Sequence, residues 1–240
     1  MRSRKIVAMG GGGFSSDADN ALLDDFVLSL VDQGRKPGIC FVPTASGDAD
    51  AYIARFLKAF PAERADASVL SLFRREHPDL RSFVLSQDVV YVGGGSTLNL
   101  LAVWRAHGLD VVLREAYEAG VVMCGLSAGM NCWFEASVTD SWSTEELRGL
   151  DDGLGLLPGS ACPHYDGEAE RRPTYERLVA GGFPAGYAAE DSCAVFFEDE
   201  ELSQVIASQP GARAFWVEKG GDGVLESQLP VTYLGAQAER

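Results

Sequence analysis

With 240 residues, 46% of them hydrophobic and 27 of them glycine, the chain is long enough to bury a substantial core and has the make-up of a globular α/β protein rich in tight turns. Its 35 acidic and 20 basic residues leave a net charge of −15, which argues against a nucleic-acid partner and means that any preference for an acidic substrate needs a local cluster of cations. The five cysteines (Cys40, Cys124, Cys132, Cys162, Cys193) form no C-x-x-C pair and lie mostly in apolar stretches, so they read as reduced thiols; with no apolar run of signal-peptide or transmembrane length, a cytoplasmic protein without membrane contact is expected.

Residues 5–9 form an apolar strand that runs into Gly10-Gly-Gly-Gly13. The spacing of Leu22, Leu23, Phe26, Val27, Leu30 and Val31 then predicts a helix over 17–32. The glycine run admits a phosphate-binding reading, but no Gly-Lys-Ser/Thr follows. Counting from Gly10, Ser15 stands where a dinucleotide fingerprint needs its third glycine, so a loop lining a substrate pocket is the better account. Residues 38–43, 67–73 and 88–92 are further strand candidates, and helices are expected over 50–60, 98–107 and 110–119. Strands alternating with helices through the first 135 residues, and apolar almost throughout, mean a doubly wound, mostly parallel sheet. Residues 135–157 are polar and glycine-rich and read as loops with at most a short helix. Residues 170–180 read as a helix, and 186–189, 193–197, 204–207, 214–218 and 231–234 as short β elements. No repeat, low-complexity segment or linker divides the chain, so a single domain over 1–240 is expected.

The chemistry centres on an apolar strand, residues 121–124, that leads into Gly125-Leu-Ser127-Ala-Gly129 and then a helix-forming stretch. G-x-S-x-G in that setting is a nucleophile elbow, which lifts Ser127 above the sheet. A serine nucleophile needs an oriented base, and only three histidines are available. His77 lies in a charged loop and His107 precedes Gly108 at a helix end, where imidazole caps carbonyls. His164, in Ala161-Cys-Pro-His164-Tyr-Asp166, follows the elbow on a proline-fixed loop and is the candidate base. With the acid between serine and histidine, the candidates are Glu135, Asp140, Glu145, Glu146, Asp151 and Asp152; with histidine first, they are Glu190 and Asp191. Ala128 N–H and the Gly93-Gly-Gly95 loop can supply the oxyanion donors. No metal-ligand set is visible, and no cofactor is expected.

These motifs resemble a known family. Val92-Gly-Gly-Gly95-Ser-Thr, Gly125-Leu-Ser127-Ala-Gly129-Met-Asn131, Pro163-His164-Tyr and Glu190-Asp-Ser look like the serine peptidases of the peptidase E (aspartyl dipeptidase) and cyanophycinase group, with collinear motifs over roughly residues 5 to 200. The resemblance implies a class I glutamine amidotransferase-like α/β sandwich and a metal-free Ser127-His164-Glu190 triad. It also implies oxyanion donors from Gly95 and Ala128, and hydrolysis of dipeptides, with Asp-X as a preference. Ser96 stands where peptidase E has Asn, and Asp140 matches loosely an aspartate found downstream of the serine in the enteric enzymes. Arg171 or Arg172 is the candidate for holding a substrate carboxylate. The alternatives are a cyanophycinase-like isoaspartyl peptidase or an esterase on the same triad, or a ligand-binding protein with a vestigial elbow. The expected partner is a short peptide; monomer and homo-oligomer are both left open.

Overall fold

The computed structural model describes residues 3–17, 19–32, 34–143, 146–221 and 223–237. The apolar runs of the first half become β1 (Lys5–Met9), β2 (Gly38–Val42), β3 (Asp66–Val69), β4 (Val89–Val92) and β5 (Val122–Leu126). They lie parallel in the order β3-β2-β4-β5-β1. Parallel strands need crossovers. These are α1 (Gly13–Ser16) with α2 (Leu22–Ser29), then α3 (Asp50–Ala59), α4 (Leu80–Leu85), and α5 (Thr97–His107) with α6 (Leu109–Glu118). The helix expected over 17–32 is only the shorter α2, with α1 lying ahead of that stretch. Between them the Asn20 side chain accepts from the Leu22 amide and donates to the Ser208 carbonyl, a local alternative to helical bonding.

After the short α7 (Ala128–Asn131) the chain leaves this sheet and builds a second one. β6 (Phe134–Thr139), β7 (Arg148–Leu150), β8 (Leu157–Cys162) and, following α8 (Arg171–Ala180), β9 (Gly186–Ala189) belong to it. β10 (Cys193–Glu198) and β11 (Glu201–Ala207) return to the first sheet beside β1. β12 (Ala214–Lys219) and β13 (Val224–Gln228) complete the second, and β14 (Thr232–Tyr233) ends the first. The second sheet runs β7-β6-β8-β9-β12-β13, parallel at β6/β8 and β8/β9.

β6 and β7 correct the expectation of loops over 135–157, and β8 begins at the end of that stretch. Many of their buried positions are small or hydroxylated (Ala136, Ser137, Thr139, Ser160, Ala161), which hides the apolar pattern that marks a buried strand. The hydroxyls are satisfied inside: Ser160 Oγ meets the Tyr175 hydroxyl at 2.6 Å, and Thr139 Oγ1 meets Ser141 Oγ at 2.6 Å.

One core cluster runs across both sheets, joining Ile6, Val92 and Val195 to Phe134, Leu157 and Ala161. On the other face of the first sheet, Phe14, Phe41, Phe56, Phe60 and Tyr91 pack together, with Phe41 and Phe56 stacked at 4.6 Å. Among the described residues, no helix is long and apolar enough to cross a membrane.

Asp24 is buried beneath this aromatic face and accepts from the Tyr91 hydroxyl at 3.1 Å. Desolvation raises its pKa from 3.8 to about 6, only partly offset by the tyrosine bond. The folded chain therefore holds this proton more tightly than the unfolded chain. The resulting stability is fully present below pH 3.8 and lost as pH rises through about 6. Asp24→Asn keeps the acceptor for Tyr91 without the buried charge. It is expected to raise stability at pH 8 by on the order of 3 kcal/mol and to flatten the melting profile between pH 4 and 7. A melting temperature at pH 8 below that of the unsubstituted chain would contradict this account of Asp24.

Candidate active site

Ser127 joins β5 to α7 at φ 56° and ψ −113°, a left-handed backbone that a non-glycine residue occupies only under constraint. The constraint is visible on both sides. Ser127 N–H donates to the Met9 carbonyl of β1 at 3.1 Å, and Ser127 C=O accepts from the Met130 and Asn131 amides at 2.8 and 3.0 Å. A Cβ at Gly125 would meet the Gly129 carbonyl, and one at Gly129 would meet the Val92 carbonyl. The G-x-S-x-G spacing is therefore a steric requirement of this turn.

Ala128 opens α7, so its amide has no intrahelical partner. In the loop after β4, the Gly94 amide donates to the Tyr52 hydroxyl at 3.1 Å and the Ser96 amide to the Ala45 carbonyl at 2.9 Å. Among the described residues this leaves the Gly95 amide between them without an internal acceptor. Gly95, Ser96, Ser127 and His164 line one pocket of about 480 Å³, a size that suits a small ligand. Ser96 also caps α5 through the Asn99 amide.

His164 follows β8 at φ 53°, its amide donating to the Gly10 carbonyl at 3.3 Å. Its Nδ1 lies 2.6 Å from Asp191 Oδ1. A carboxylate only accepts, so Nδ1 carries the proton and Nε2 is free to act as a base. Asp191 is itself fixed: its amide donates to Asp166 Oδ1 at 2.9 Å, and the next amide, of Ser192, donates to the Gly11 carbonyl at 3.1 Å. The glycine run after β1 thus cradles the imidazole–carboxylate pair. A Cβ at Gly11 would meet Asp191 Oδ1 and His164 Cε1. Gly11→Ala is therefore expected to lower kcat by about 10- to 100-fold through misplacement of this pair, with the fold retained. Unchanged turnover in that variant would show that the pair tolerates displacement.

Glu190, expected beside the imidazole, pairs with Arg213 instead, and its neighbour Asp191 meets His164. Consecutive side chains at the end of β9 point in opposite directions. Glu190 turns inward, 3% exposed, where its Oε2 accepts from the Arg213 amide at 2.8 Å and its Oε1 lies 2.6 Å from the Arg213 guanidinium. Asp191 turns to the imidazole. Of the acids between serine and histidine, Glu135 accepts from the Gly159 amide at 2.9 Å, Asp152 pairs with Arg105 at 2.6 Å, and Glu146 pairs with Arg148 at 2.6 Å. Glu145 lies outside the described residues. Asp140 lines the pocket but not the imidazole pair.

The two arginines separate. Arg171 is buried and lines the pocket. Arg172 faces away, paired with Glu226 and lying over the Tyr165 and Phe215 rings at 5.2 and 5.1 Å. The sequence reading did not single out Trp142, Glu168 or Arg213. Trp142 and Glu168 line the pocket, and Arg213 becomes visible only once β9 is paired with β12. The remaining histidines are structural. His77 Nε2 lies 3.2 Å from the Val69 carbonyl and its ring stacks on Phe83, while His107 ends α5 before a left-handed Gly108.

The sequence profile of peptidase family S51 matches residues 6–205. The uncharacterized peptidase YgaJ of Bacillus subtilis is 49% identical over 233 residues, 97% of this chain and 100% of that protein. Peptidase E of Pasteurella multocida is 26% identical over 201 residues, 82% of this chain and 74% of that one. Among solved structures, that of a peptidase from an acI-B1 Actinobacterium is similar at a TM-score of 0.67 and 15% identity, covering 95% of each chain. The fold is the class I glutamine amidotransferase-like α/β architecture. With a strained serine, an imidazole on its pocket and this match over most of its length, the chain belongs to peptidase family S51 and is a serine peptidase.

Proposed function

We propose that the chain is a single catalytic domain that hydrolyses short peptides, as a dipeptidase, through an acyl-enzyme on Ser127. His164 is the base and Asp191 the acid that orients it. The observation carrying this reading is the 2.6 Å bond from His164 Nδ1 to Asp191 while the ring lines the pocket of the elbow serine. No hydrogen bond joins Ser127 to the ring among the described residues; in free enzymes this bond often forms only with substrate bound. The core cluster shared by both sheets supports a single unit.

In the proposed reaction, His164 Nε2 takes the Ser127 proton as Oγ attacks the scissile carbonyl. The negative oxygen rests on the Gly95 and Ala128 amides. Asp191 stabilises the imidazolium and holds its tautomer. The imidazolium gives its proton to the leaving amine as the C–N bond breaks. A water then gives a proton to Nε2 and attacks the ester, and Oγ regains its proton as the acid product leaves. Glu190 positions this machinery, its ion pair with Arg213 fixing the turn from which Asp191 projects.

A panel of α-linked dipeptides, β-aspartyl dipeptides and nitrophenyl esters tests the substrate class. Fastest turnover on α-linked dipeptides with a free amino terminus is expected. Dominant β-aspartyl turnover would replace the reading with an isoaspartyl peptidase, and turnover of esters alone with an esterase.

A further inference from the structure

Arg171 is the one guanidinium that lines the serine pocket among the described residues, and its side chain is only 4% exposed. Three of its five N–H groups are engaged, on the side facing Glu168 and Val138. Nε donates to Glu168 Oε2 at 2.7 Å and Nη2 to Glu168 Oε1 at 3.3 Å, a two-pronged pair, while Nη1 donates to the Val138 carbonyl at 3.1 Å. Nη2 also lies 3.7 Å from Asp140 Oδ1. A substrate carboxylate could take the Nε/Nη2 edge only by displacing Glu168, and at the remaining N–H groups it would lie beside the like charges of Glu168 and Asp140.

Glu168 and Asp140, by contrast, line the pocket with side chains 45% and 40% exposed. Two carboxylates against one arginine leave the pocket with a net negative charge, on a chain of net charge −15. The exposed ring of Trp142 lines the same space and suits the aliphatic stem of a long cationic side chain.

The geometry points to a serine pocket that selects a positively charged residue on the acyl side of the scissile bond, as in Lys-X or Arg-X dipeptides, and rejects aspartate. Arg171 is here a positioning residue that fastens Glu168 and Asp140 at the pocket wall. The inference rests on the proposed peptidase reading and names its substrate class.

The test compares Lys-Leu, Ala-Leu and Asp-Leu dipeptides on the unsubstituted chain, Glu168→Gln and Asp140→Asn. For the unsubstituted chain, kcat/KM for Lys-Leu is expected to exceed that for Asp-Leu by about 10-fold or more, chiefly through KM, with the gap narrowing as salt is added. Glu168→Gln frees the Arg171 fork, so the Lys-Leu to Asp-Leu ratio should fall about 10-fold or more. Asp140→Asn should lower the same ratio, which keeps the test open if Glu168→Gln fails to fold. Equal or better turnover of Asp-Leu by the unsubstituted chain would overturn the inference alone, as would an unchanged ratio in both variants. No turnover of any of the three dipeptides would overturn the dipeptidase reading and this inference with it.

Discussion

Ser127→Ala is expected to lower kcat by roughly 10⁶-fold, the scale for losing a triad nucleophile, while the melting temperature stays within about 2 °C. The asymmetry follows from how the serine is held. Its strained backbone is fixed by the Met9, Met130 and Asn131 hydrogen bonds and by the glycines on either side, none of which involves the hydroxyl. Alanine meets the same left-handed φ that serine does, so the elbow survives the change. What disappears is the atom that forms the acyl bond. Steady-state turnover on the best dipeptide, beside a thermal melt, measures both halves. Activity within tenfold of the unsubstituted chain would remove Ser127 from the mechanism.

The second large effect separates two neighbouring carboxylates. Asp191→Asn is expected to cost about 10³- to 10⁴-fold in kcat, because an amide at Nδ1 no longer holds the tautomer or stabilises the imidazolium. Stability should change little, since the Asp191 side chain is half exposed. Glu190→Gln should do the reverse. It leaves the Arg213 guanidinium without its buried counter-charge and is expected to cost about 1 to 3 kcal/mol of stability, with kcat reduced less than tenfold at temperatures where the variant is folded. Turnover and denaturant melts of both variants distinguish the roles. If Glu190→Gln abolishes turnover in a folded protein while Asp191→Asn is nearly silent, the acid is Glu190 after all.

The parallel half of the fold was legible because its strands are apolar on both faces and its helices carry the complementary stripe. Ile39 to Val42 and Val89 to Val92 are fully buried, and no other element type explains such runs followed by Gly or Pro turns. The second sheet was not legible. Its buried positions include Ser137, Thr139 and Ser160, and the Ser160 hydroxyl is satisfied by Tyr175 and Pro184, residues distant in sequence. The elbow serine and the histidine could be read from local turn chemistry and from the scarcity of histidine. The choice between Glu190 and Asp191 could not, because it depends on which side of β9 each residue leaves and on Arg213 arriving from β12. The glycine run after β1 showed that something must approach closely there, but not that it would be the His164–Asp191 pair.

The central claim, that His164 held by Asp191 activates Ser127, is tested most directly by a fluorophosphonate probe followed by peptide mass mapping. A single adduct on Ser127 is predicted, forming on the order of 10³-fold more slowly in His164→Ala. An adduct on any other residue, or labelling of Ser127 at the same rate without the imidazole, would contradict the account.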